Sequence, residues 1–107
     1  MTKQKRTVFY LSDRTGITAE TLGHSLLTQF DGIDWETVNV PFLDDSEKAC
    51  AVVAQINQAA GQDGHRPLVF STLQQREILD VIKQADCRGY DFFETFTHPV
   101  EEELHQS

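Results

Sequence analysis

At 107 residues the chain has room for one domain, and its 39% hydrophobic and 24% charged content is that of a globular protein, neither disordered nor fibrous. Seventeen acidic residues against nine basic ones give a formal net charge of −8, which opposes binding to nucleic acid or to an anionic membrane surface. The first apolar run, Thr7 to Leu11, is cut by Ser12-Asp13-Arg14, too short for a signal peptide or a transmembrane segment, so a cytoplasmic location is expected.

Residues 1–6 read as a basic arm carrying Lys3, Lys5 and Arg6. Val8 to Leu11 is apolar without interruption and rich in aromatic and branched side chains, the pattern of a strand covered on both faces. From Thr18 the apolar positions Leu22, Leu26, Leu27 and Phe30 recur at helical spacing, which predicts a helix that lays this face on the sheet. Gly23 interrupts that helix at a cost of about 1 kcal/mol relative to Ala, a sign of close packing. Trp35 to Val40 alternates apolar and polar residues, as an edge strand does.

Asp44 and Glu47 have capping-box spacing, and Cys50, Val53, Ile56 and Ala60 form the stripe of a second helix closed by Gly61 and Gly64. Pro67 to Ser71 is a second central strand. Thr72 to Gln75 reads as a capping box ahead of a helix with Ile78, Leu79, Ile82 and Ala85 inward. Tyr90 to Phe93 is a fourth strand, and residues 98–107 form a short terminal helix or linker after Pro99. Cys50 and Cys87 read as two buried thiols in a reducing compartment.

Strands alternating with helices imply right-handed crossovers and a parallel sheet. The expectation is an α/β three-layer sandwich, Rossmann- or flavodoxin-like, with a four-stranded parallel sheet in the order 2-1-3-4. In that order the chain reverses direction between strands one and three, and ligands of such sheets bind outside the carboxyl ends of strands at this switch point.

Two loops meet there. In the first, Ser12, Asp13, Arg14, Thr15, Gly16 and Thr18 combine hydroxyls, a glycine and a helix N-terminus, whose unpaired amides and partial positive charge suit a phosphate or carboxylate. Capping of the helix by Thr15 or Thr18 is the alternative use of the same residues. In the second, Ser71, Thr72, Gln75 and Arg76 are candidates to join the site. His24, His65, His98 and His105 show no metal-ligand spacing, and no Walker loop or nucleophile elbow occurs. The sequence assigns no metal and no catalytic residue.

Ser12-Asp13-x-Thr15-Gly16-Ile17-Thr18-Ala19-Glu20, continued by Leu22-Gly23-His24-Ser25-Leu26-Leu27-x-Gln29-Phe30, resembles the opening of the phosphoenolpyruvate synthase regulatory proteins, relatives of the pyruvate, phosphate dikinase regulatory proteins. Tyr90 to Phe96, with Pro99 and the run Glu101 to Leu104, resembles the segment that closes that family's N-terminal region. The resemblance implies that residues 1–107 are the N-terminal domain of a longer protein. It also implies that the full-length form is an ADP-dependent serine/threonine kinase and a phosphate-dependent pyrophosphorylase acting on a threonine of phosphoenolpyruvate synthase. ADP and phosphate are then its ligands, bound through a phosphate loop in the C-terminal half, and phosphoenolpyruvate synthase or a second copy of the chain its partner. By itself the chain is expected to be inactive and to carry no cofactor. Two other readings stand beside this one: a flavodoxin-like module binding phosphate or FMN through Thr15-Gly16-x-Thr18, and a non-catalytic docking or dimerisation domain.

Overall fold

The computed structural model describes residues 4–106. Four strands, β1 (Gln4–Ser12), β2 (Ile33–Val40), β3 (Leu68–Thr72) and β4 (Arg88–Asp91), form one sheet in the order β2-β1-β3-β4, every pair parallel. The expected topology is observed. Four helices, α1 (Ile17–Leu27), α2 (Ser46–Asp63), α3 (Arg76–Ile82) and α4 (His98–Leu104), complete the α/β fold, with one π-helical turn (Phe93–Thr97) leading into α4. Among the described residues no helix is long and apolar enough to cross a membrane.

β1 and β3 lie inside the sheet because their side chains are apolar on both faces: Val8 and Tyr10 point to one core, Phe9 and Leu11 to the other. On the second of these faces α2 and α3 close the core with Ala49, Val52, Ile56, Ile78 and Ile82, all buried. The stripe on α2 is shifted from the expected one, since Cys50 is exposed and Val53 only partly covered. The N-cap is displaced as well. Asp45, not Asp44, accepts the Lys48 N–H at 2.7 Å, which starts the helix one residue later. Asp44 instead pairs with the Lys48 ammonium at 2.9 Å, and that hydrogen bond and charge hold its carboxyl below the usual range.

Three other expectations are corrected. Lys5 and Arg6 are not part of an arm but extend β1, where Gln4 pairs with Ile33; Lys5 faces Glu36 at 3.7 Å and Arg6 donates to the Arg66 carbonyl at 3.1 Å. Lys3 lies outside the described residues, as does Ser107 at the other end. Thr72 does not cap α3, because it still pairs with Ser12 as the last residue of β3; the helix begins only at Arg76, with Gln75 as an N-cap that makes no side-chain hydrogen bond. Strand β4 ends at Asp91, whose carboxylate accepts the Phe93 N–H at 3.0 Å and turns the chain out of the sheet before Phe92 and Phe93 can extend it. Cys87 lies between α3 and β4, half-buried, and burial pushes its thiol pKa up.

The largest departure is in α1. Its buried residues are Ala19, Gly23 and Leu27, while Leu22, Leu26 and Phe30 are 47%, 43% and 54% exposed. Bulk on the sheet explains this. The rings of Tyr10 and Phe70 stack at 6.0 Å and occupy the space that helix side chains would otherwise fill. A Cβ on Gly23 would collide with the Tyr10 ring and lie 3.1 Å from that of Phe70, so only the small-residue face of α1 can seat there.

Candidate functional site

Beyond the carboxyl ends of β1 and β3 a cavity of about 480 Å³ opens at the switch point. One wall is the turn from Ser12 to Thr18, with Leu22 above it and Thr72 and Gln74 beside it; the opposite wall is Phe92, Phe93, Phe96 and Thr97. Six of the first-loop candidates (Ser12, Asp13, Arg14, Thr15, Gly16 and Thr18) thus come together with Thr72. Arg76 does not join them. It lines a neighbouring cleft with Asp91, His98 and Glu101, and Ser71 is buried within β3.

Two backbone hydrogen bonds to its carbonyls hold the turn in place. Leu43 and Phe42, in the loop after β2, donate their backbone N–H groups to the Ser12 and Arg14 carbonyls, each at 2.8 Å. Leu43 anchors that loop by burying its side chain, whereas Phe42 sits at φ 57°, a left-handed conformation costly for a bulky residue, and leaves its ring exposed. The Ser12 hydroxyl accepts the Arg14 N–H at 3.0 Å, closing the turn on itself.

Gly16 then enters the left-handed region at φ 84° as the N-cap of α1. Among the described residues no side chain caps the helix. The alternative in which Thr15 or Thr18 satisfies the first-turn amides is therefore not the one adopted, and the helix start faces the cavity without a side-chain oxygen of its own. Arg14, Thr15 and Thr18 are exposed around it, and Thr72 is nearly buried. Asp13 is the one acidic side chain on the cavity wall, opposite in effect to Arg14.

The aromatic wall was not among the candidates drawn from sequence. Phe92 and Phe96 pack at 6.0 Å between ring centres, and Phe92 continues to Phe70 at 5.7 Å, so the wall is an extension of the α1-side core. The signal for it was the Tyr90 to Phe93 run, whose aromatic content reads as strand, whereas the chain leaves the sheet after Asp91 and lines the cavity. Among the described residues no group of three or more His, Cys, Asp or Glu is placed to hold a metal ion. Chemically, the cavity offers helix-start amides, hydroxyls and one guanidinium on one side and an apolar aromatic surface on the other, an arrangement suited to an oxyanion attached to a less polar group.

Comparison with known proteins finds relatives over nearly the whole chain. The sequence model described as kinase/pyrophosphorylase matches residues 8–107. The chain is 58% identical over 102 residues to a protein of Nitrosomonas europaea, an alignment covering 95% of this chain and 37% of the relative. It is 53% identical over 104 residues to one from Alkalilimnicola ehrlichii (97% and 38%) and 52% identical over 103 residues to one from Marinobacter nauticus (96% and 38%). All three relatives carry the provisional name phosphoenolpyruvate synthase regulatory protein. The chain therefore spans well under half the length of these relatives.

Proposed function

The chain belongs to the kinase/pyrophosphorylase family, and on that premise we propose that it is the part of a phosphoenolpyruvate synthase regulator that supplies an oxyanion-binding wall to the phosphotransfer site. The whole regulator transfers a phosphoryl group from ADP to a threonine of phosphoenolpyruvate synthase. It reverses the modification when inorganic phosphate takes the group away as pyrophosphate. The observation that supports this role is the uncapped start of α1 facing the switch-point cavity. Phosphoryl transfer is chiefly a matter of positioning charged oxygens and stabilising developing charge, and helix-start amides with Arg14, Thr15, Thr18 and Thr72 contribute to that.

None of these residues is a catalytic residue. No lysine follows a glycine-rich loop in the sequence, so this chain offers one partial anion turn and nothing to grip a nucleoside diphosphate and a threonine acceptor together. The isolated chain is thus inactive, and the regulator works in the cytoplasm, where its free thiols, Cys50 and Cys87, persist. The test is to incubate the purified chain with phosphoenolpyruvate synthase and β-labelled ADP, with a full-length relative alongside. Label on threonine with the relative alone is expected. Label transferred by the 107-residue chain at a comparable rate would place the catalytic groups within it and overturn the assignment.

A further inference from the structure

A second cavity lies on the α1 side of the sheet, a groove of about 460 Å³ whose floor and walls include Leu26, Phe30, Trp35, Leu68, Tyr90 and Phe96. It is separate in character from the switch-point cavity, having no hydroxyl-rich turn, and the two meet only at Phe92 and Phe96. Its existence follows from the layer count. The opposite face of the sheet is covered by α2 and α3, whereas on this face α1 contacts β1 and β3, the π-helical turn contacts β4, and the groove lies open between them.

We propose that this groove seats an amphipathic helix from the polypeptide that makes up the remainder of the longer regulator. Two observations identify the occupant. The matched region accounts for only 37–38% of the relatives' length, so a large stretch of polypeptide is available. The apolar strip also continues past Phe96 onto α4, where Val100 and Leu104 are 55% and 58% exposed, which carries the unpartnered surface along the last helix of the matched region. An exposed apolar surface of this kind marks a contact yet to be made.

The groove also says something of the occupant's chemistry. Arg6 Nε and Trp35 Nε1 are buried without a hydrogen-bond partner, and both residues line the groove. Neither donor is accessible from the groove, whose lining by Leu26, Phe30, Trp35, Leu68, Tyr90 and Phe96 calls instead for apolar side chains on the seated helix at i, i+3/i+4 and i+7.

Thiol protection tests the proposal, because Cys50 on α2 is exposed on the other side of the sheet and serves as an internal reference. Phe30→Cys adds a thiol at an exposed groove position, and maleimide labelling at the two sites is compared by mass spectrometry. The 107-residue chain is compared with a hybrid in which it replaces the matched region of the Nitrosomonas europaea relative. In the chain alone both thiols react freely. In the hybrid the Phe30→Cys thiol slows by about tenfold or more relative to Cys50, and adding Leu26→Asp, which places a carboxylate in the groove, restores its reactivity. An unchanged ratio in the hybrid overturns the proposal, as does protection that appears in the chain alone as its concentration rises, which would make the occupant a second copy.

Discussion

The two faces of the sheet are built on opposite rules. Against α2 and α3, large apolar side chains of the helices point inward and the core is Phe9, Leu11, Val52, Ile56, Ile78 and their neighbours. Against α1 the bulk comes from the sheet, in Tyr10 and Phe70, and the helix answers with Ala19, Gly23 and Leu27 while its other large side chains face out. The first face is a finished core. The second is a surface in which small residues fix one helix and large ones remain to line the switch-point cavity and the groove, so the face that looks less complete is the one that carries both cavities.

Substitutions in α1 test that contrast most severely. Gly23→Val forces a branched side chain into the Tyr10 and Phe70 rings and is expected to cost about 3 kcal/mol or more, read from urea unfolding. Leu27→Ala should cost about 2–4 kcal/mol, whereas Leu26→Ala, one residue away on the open side, should stay within about 0.5 kcal/mol. Equal losses at the two leucines would mean that the open side is itself core. Gly16→Ala imposes a side chain at φ 84°, with an expected loss of about 1–2 kcal/mol and weaker anion binding at the cavity.

The smallest effect concerns Tyr10, whose hydroxyl is buried without a partner and whose pKa is raised by that burial and, secondarily, by Glu20. Because the folded state holds the phenolic proton more tightly than the unfolded chain, this contribution is complete below the ordinary tyrosine pKa. It is lost as pH rises toward the raised folded value. Tyr10→Phe should leave neutral-pH stability unchanged or improve it by about 1 kcal/mol, and should lessen the alkaline decline. Urea midpoints at neutral and alkaline pH decide this; a clear loss at neutral pH would reveal a partner for the hydroxyl.

The same contrast explains what could be read from the residues in order. Strand order followed from two short apolar runs, Val8 to Leu11 and Leu68 to Phe70, because only inner strands need apolar side chains on both faces. Gly23 pointed correctly to close packing. Periodicity failed beside it, since Leu22, Leu26 and Phe30 share a helical face whether that face meets the sheet or a cavity, and only the size of Tyr10 and Phe70 across the interface decides between them. Adjacent carboxylates at Asp44 and Asp45 hid a one-residue difference in the cap. At the site, the Ser12 to Thr18 turn and Thr72 were recognisable from hydroxyls and glycine beside strand ends. Phe92, Phe93 and Phe96 were not, because aromatic residues favour strands and nothing local announces that Asp91 will turn the chain away.

The central claim, that the uncapped start of α1 binds an oxyanion, is tested most directly by titrating inorganic phosphate into the ¹⁵N-labelled chain and following its amide resonances. The account predicts saturable shifts at Thr15, Gly16, Ile17, Thr18 and Thr72, reduced in Thr15→Val, with Cys50 and the rest of α2 unmoved. Shifts confined to other regions, or none at millimolar phosphate, would contradict it.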